Sequence, residues 1–126
     1  MNRSERFVPG FERRQRAVGE EYVERAYATA DSFTMELQDF VTESCWGGVW
    51  LRDGLDDRTR SLITLTVLAC SNKWTELTTH VRVALGNGCT SDEIKEVFLH
   101  LAVYAGVPTA VEAFRHAQPV VAEYGG

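Results

Sequence analysis

The chain has 126 residues, of which 44% are hydrophobic and 25% charged, with 10 glycines and 3 prolines. That balance excludes extended disorder, and the length suits one hydrophobic core, so a single domain over 1–126 is expected. A net charge of −5 leaves no basic footprint for nucleic acid or an anionic membrane, and no apolar stretch has the length of a bilayer span or signal peptide; a cytoplasmic protein is expected.

Residues 10–32 read as helical, interrupted near Gly19, and 1–32 is expected to form an N-terminal helical arm. Thr34 is placed to cap a second helix running through Trp46, with Met35, Leu37, Phe40 and Val41 as its apolar positions and Gly47-Gly48 as its stop. Asp56 or Asp57 opens the next helix, in which 62–70 is apolar almost all round, as in a central helix. Thr64 and Thr66 alternate with apolar neighbours there and would also suit a strand.

Lys73 to Asn87 is the clearest amphipathic helix, with Trp74, Leu77, Val81, Ala84 and Leu85 on one stripe and Gly88 to stop it. Thr90-Ser91-Asp92-Glu93 has capping-box spacing and opens a helix through Tyr104. Pro108 begins the last helix, which Pro119 is expected to bend or end near Gln118. The pattern predicts an all-α bundle of about six helices. Helices apolar on more than one face point to self-association that completes the core. Cys45, Cys70 and Cys89 form no Cys-x-x-Cys pair and are expected to be reduced, mostly buried thiols.

Each of the three histidines follows a glutamate by four residues: Glu76 and His80, Glu96 and His100, Glu112 and His116. Spacing alone selects none, since such pairs are ordinary helix-surface contacts worth a few tenths of a kcal/mol. Helical angles set His116 and Glu112 opposite their apolar stripe, in water, and leave His100 free to line an interface. His80 and Glu76 sit at the edge of the Trp74-Leu77-Val81 stripe, where burial and a charged neighbour can tune an imidazole. A helix-stabilising pair remains the plain alternative. Histidine and glutamate are also metal ligands, but these pairs lie on separate helices without a ligand spacing, and no metal is expected.

The string Leu77-x-x-His80-Val81-Arg82-x-Ala84-Leu85-x-Asn87-Gly88-x-Thr90-x-x-Glu93-Ile94-x-Glu96-Val97, followed by Tyr104-x-Gly106-Val107-Pro108, resembles the carboxymuconolactone decarboxylase family, whose fold is shared with alkylhydroperoxidase D-like proteins. Upstream, Trp46-Gly47-x-Val49-Trp50, Gly54-Leu55 and Arg58-Thr59-Arg60-Ser61-Leu62 extend the resemblance. Peroxidases of this fold carry a Cys-x-x-Cys pair where Lys73 and Glu76 stand here, and without two thiols there is no disulfide to cycle. The chain also departs from the decarboxylase pattern, with Gly48 in place of an acidic residue and Ala105 in place of a common cysteine. Glu43 and Glu76 are the acids available to replace the one missing at Gly48.

The resemblance implies cofactor-independent decarboxylation of 4-carboxymuconolactone, a small anionic lactone, to 3-oxoadipate enol-lactone in protocatechuate catabolism, by a homo-oligomer that is a hexamer or a trimer. Loss of carbon dioxide leaves electrons that delocalise onto the lactone carbonyl, so the substrate is its own electron sink. In this reading His80 is the general acid, and Glu76 orients it and raises its pKa. Arg60 and Arg82 bind carboxylate or the developing oxyanion, with Arg58 the competing choice. Trp46, Trp50 and Tyr104 wall the pocket. A paralogue acting on another small substrate, with a peroxidase-like or a non-catalytic role, is the alternative.

Overall fold

The computed structural model describes residues 2–124, and among them the chain is helical with no strand. Seven α-helices form: α1 (Phe7–Val18), α2 (Glu20–Ala28), α3 (Met35–Phe40), α4 (Asp57–Cys70), α5 (Trp74–Gly86), α6 (Ser91–Ala105) and α7 (Val107–Glu123). A π-helical turn, Val41–Trp46, continues α3, and a 3₁₀ turn, Val49–Leu51, follows it. No helix among the described residues is long and apolar enough to cross a membrane. The chain divides into two compact units, Met1–Leu55 and Asp56–Gly126.

In the first unit Gly19 breaks the expected long helix into α1 and α2, because its φ of 99° lies in the left-handed region that glycine adopts freely. Helix α1 packs on the π-helical turn through backbone: a Cβ at Gly10 would lie 2.1 Å from the Thr42 carbonyl oxygen. That contact turns the Gly10 face inward, and Arg13 and Arg14, three and four residues on, are buried with it. Arg14 donates to Thr42 Oγ1 at 3.1 Å and to Gln38 Oε1 at 2.9 Å. The Tyr27 hydroxyl lies 2.8 Å from Thr42 Oγ1 and donates to Asp39 at 3.1 Å, and Arg3 pairs with Asp39 at 3.3 Å. Thr34 makes no side-chain cap on α3, contrary to the sequence reading. Asp31 organises that turn instead, its carboxylate accepting from the amides of Phe33 and Thr34.

The second unit holds the apolar core. Leu65 and Ala69 of α4, Leu77, Val81 and Ala84 of α5, Ile94, Phe98 and Leu101 of α6, and Ala110, Ala113, Ala117 and Val120 of α7 bury together. The small residues of α7 let its neighbours approach closely. Asp56 caps α4 by accepting from the Thr59 amide at 2.8 Å. Thr90 and Glu93 form the expected capping box on α6. Thr64 and Thr66 donate to the carbonyls of Arg60 and Leu62 one turn back, which satisfies their hydroxyls inside a helix.

Three expectations change here. Helix α4 buries one face only, and Ile63 and Val67 are exposed. Pro119 does not end α7 near Gln118: the helix runs through it to Glu123, with Pro119 on the exposed side and only one backbone bond forgone. Of the three free cysteines Cys89 alone is buried, while Cys45 is half-buried and Cys70 exposed.

Candidate active site

His80 lies at the middle of α5, flanked by the buried Leu77 and Val81 that anchor the helix to the core. Its Nδ1 atom is buried, and burial pushes the imidazole below the usual histidine range, because a low-dielectric setting disfavours the charged ring. Glu76 is exposed, and the shift of His80 is caused by desolvation and not by Glu76. The expectation that Glu76 raises the pKa of His80 is therefore corrected: the two share a helix face, but desolvation governs the imidazole. Burial thus favours the neutral form of His80 over the charged one.

Of the other two histidines, His116 differs from its helical-wheel placement. His116 stacks face to face on Trp74, ring centroids 5.3 Å apart and planes 3° apart, and its Nε2 lies 3.5 Å from Glu112. The pair expected to be bare in water thus clamps α7 to α5. Exposed His100 tilts against Tyr104 with centroids 5.1 Å apart. These two residues, with Thr66, Cys70, Glu96, Val97, Leu101 and Ala105, line a groove of about 640 Å³ on the second unit. Tyr104 is 80% exposed on α6 and His80 is not in the lining of that groove.

The arginines separate clearly. Arg58 is tied to Glu93 and donates from Nε to the Gly88 carbonyl at 3.3 Å. Arg82 is exposed and pairs with Glu123 at 3.5 Å. Arg60 is half-buried, with its Nε atom shielded from water.

Trp46 and Trp50 stack on each other in the first unit, centroids 5.0 Å apart and planes at 23°. Glu43 is held by Ser4, accepting from the Ser4 amide at 3.0 Å and from its hydroxyl. Gly48 has no room for a side chain: a Cβ there would lie 2.5 Å from the Ser44 carbonyl oxygen, because the wide π-helical turn brings that carbonyl against it. An acidic residue at 48 would require this turn to shift.

The sequence reading missed Arg13. Its guanidinium carbon lies 5.7 Å from the Trp46 ring centre and 5.6 Å from that of Trp50, and the side chain is only 5% exposed. A basic run in a polar helix ordinarily reads as solvated. The available signal was Gly10, three residues before it, which marks the face of closest approach.

Burial raises the Cys45 and Cys89 thiols above their ordinary value, so neither is a ready thiolate. Among the described residues no three of His, Cys, Asp and Glu are grouped to hold a metal ion. The chemistry the arrangement offers is a half-buried imidazole able to exchange a proton, with guanidinium groups for anions.

Comparison with known proteins carries this further. Residues 35–119 match the model of the carboxymuconolactone decarboxylase family. The chain is 38% identical over 125 residues to 4-carboxymuconolactone decarboxylase of Acinetobacter baylyi, covering 99% of this chain and 93% of that protein. It is 46% identical over 107 residues to nitrosuccinic acid decarboxylase npaB of Metarhizium robertsii, covering 85% of this chain and 75% of that one. A 15.0 kDa uncharacterized protein of Paracoccus denitrificans is 35% identical over 85 residues, 66% of this chain and 63% of that protein. The chain belongs to the carboxymuconolactone decarboxylase family.

Proposed function

We propose that the protein is a cofactor-independent decarboxylase of succinates substituted at carbon 2 by an electron-withdrawing group. 4-Carboxymuconolactone, giving 3-oxoadipate enol-lactone in aromatic catabolism, is the first such substrate. The observation that carries the proposal is the likeness to two decarboxylases whose named substrates share one skeleton. In 4-carboxymuconolactone and in nitrosuccinate alike, one carbon bears a carboxylate, a carboxymethyl arm and a group that accepts electrons. When the carboxylate leaves as carbon dioxide, the bonding pair stays on that carbon and spreads onto the lactone carbonyl or the nitro oxygens. One proton then completes the product, so each turnover consumes one proton and releases one carbon dioxide.

His80 delivers that proton. Desolvation favours its neutral form without substrate, and a dianion beside it favours the protonated form, so substrate binding promotes charging of the acid where it is used. Arg60 binds carboxylate or the developing oxyanion. Glu43, Glu76, Arg82 and Tyr104 fall outside this set, given the Ser4 contact of Glu43, the exposure of Glu76 and Tyr104, and the Glu123 pair of Arg82.

Nitrosuccinate is the second reading, and the packing at Gly48 favours it. A nitro group stabilises a carbanion more strongly than a conjugated lactone, so a site without that carboxylate has less to do. Carbon dioxide release by the purified protein from 4-carboxymuconolactone, nitrosuccinate and plain succinate tests the proposal. Release from one or both substituted acids, with none from succinate, is expected; release from none of them contradicts it.

The protein acts as a homo-oligomer, a hexamer or a trimer, in this reading. Support comes from Ile63, Val67, Leu99, Val103 and Val107 of the second unit, all exposed, with Val103 at 78%.

A further inference from the structure

We propose that Asn87-Gly88 is a self-modification site, at which Asn87 cyclises onto the Gly88 nitrogen and becomes aspartate or isoaspartate, and that Ser61 of α4 guards it. The dipeptide is open to this reaction because glycine puts no side chain beside the attacking nitrogen. The Gly88 nitrogen bonds to Asn87 Cγ, its proton passes to the departing amide nitrogen, the Cγ–Nδ2 bond breaks and ammonia leaves. Water then opens the ring at the side-chain carbonyl, giving aspartate, or at the main-chain carbonyl, giving isoaspartate.

The fold holds the pair in a form that does not cyclise. Ring closure needs the Gly88 nitrogen turned toward Cβ of Asn87, whereas the Asn87 ψ of 4° turns it toward the Asn87 nitrogen instead. Gly88 and Cys89 complete a Schellman turn on α5. Gly88, at a φ of 95°, donates its N–H to the Leu85 carbonyl at 3.1 Å, and Cys89 donates to Ala84 at 2.9 Å. The nitrogen that would attack is thus engaged as a donor. The group it would attack is held as well: Asn87 Nδ2 donates to Ser61 Oγ at 3.0 Å, and Ser61 is fully buried in α4. A buried hydroxyl cannot follow the carboxamide as it swings toward the backbone.

Opening requires only the turn. Its restraints are its own hydrogen bonds and the Arg58 contact with the Gly88 carbonyl, while the apolar faces of α5 and α6 stay packed in the core. Asn87 is half-buried and Gly88 exposed, so water reaches the ring once it forms. Isoaspartate adds a methylene to the main chain where α5 ends, and the lengthened turn cannot keep both Schellman bonds. The helix that carries His80 then loses its stop.

The experiment keeps the full-length parent and Ser61→Ala in warm, mildly alkaline buffer, at urea concentrations from zero to beyond the unfolding transition. Asn87 is followed by peptide mass spectrometry and by enzymatic methylation of isoaspartate. Without urea, Ser61→Ala is modified about three- to tenfold faster than the parent, the range that one lost hydrogen bond gives. Both rates stay nearly flat below the transition, because the turn opens locally, and they converge beyond it. Equal rates in the two folded proteins overturn the guard. Rates that track the unfolded fraction place the reaction in the unfolded chain and overturn the site. If Ser61→Ala does not fold, the urea dependence of the parent alone decides in the same way. The measurement needs no substrate, so its outcome is separate from that of the decarboxylase reading.

Discussion

Glu93 closes the amino end of its own helix and holds Arg58 of α4 with the same carboxylate. One oxygen accepts from the Thr90 amide at 2.9 Å and the other meets the Arg58 guanidinium, which also reaches the Gly88 carbonyl. The Arg58 contact is the main cause that lowers the Glu93 carboxyl below its ordinary value, with the Thr90 amide next. A carboxylate depressed in the folded state adds stability above its unfolded pKa and loses it as pH falls through the folded one. Glu93→Gln is therefore expected to lower the urea midpoint at pH 7, and its difference from the parent to shrink as pH falls below the ordinary glutamate range.

The hydroxyl half of the same cap is separable. Thr90→Ala removes the acceptor for the Glu93 amide, 3.1 Å away, and is expected to cost about 1 kcal/mol in urea unfolding. Activity of the folded protein should be unchanged, since Thr90 lies outside the proposed set of site residues.

His80 gives a pH dependence of opposite origin. Its folded pKa lies below the unfolded value of about 6.5. Between the two the unfolded chain binds a proton that the folded chain does not, so stability is full above about 6.5 and falls as pH drops through that window. Thermal midpoints measured from pH 8 to pH 5 should fall for the parent and fall less for His80→Gln. Equal slopes would remove the buried imidazole as the cause.

Gly48→Asp restores the acidic residue that the family pattern carries at this position. With the Ser44 carbonyl 2.5 Å from the Cβ site, the substitution is expected to destabilise the turn by about 1–3 kcal/mol and to lower decarboxylation rather than raise it. A gain in turnover on 4-carboxymuconolactone would show that the π-helical turn gives way cheaply.

The exposed apolar side chains of α4 and α6 predict self-association. Val67→Asp combined with Val103→Glu should reduce the mass found by light scattering to that of a smaller species, with helix content retained. An unchanged mass would place the assembly surface elsewhere.

The second unit was legible because its helices are amphipathic and punctuated by local chemistry. Thr90 and Glu93 cap as their spacing requires, and Gly88 and Gly106 stop helices at positive φ. The first unit was less so. A π-helical turn has no sequence period distinct from an α-helix, and Arg13 and Arg14 are buried by a backbone contact at Gly10 that composition does not reveal.

The histidines show a further limit. Angles around one helix give each side chain's position relative to its own stripe and say nothing of what a neighbouring helix brings. Trp74 of α5 covers His116 of α7, while the matching spacing of Glu76 and His80 leaves the glutamate in water. The location of His80 on a core-facing helix was readable; the source of its pKa shift was not.

The central claim is that His80 supplies the proton that completes decarboxylation. The most direct measurement is kcat for carbon dioxide release by His80→Ala beside the parent, on whichever substituted succinate the parent accepts, with circular dichroism to confirm the fold. The account predicts a loss of about 10²–10⁴-fold at a little-changed Michaelis constant; a kcat equal to that of the parent would contradict it.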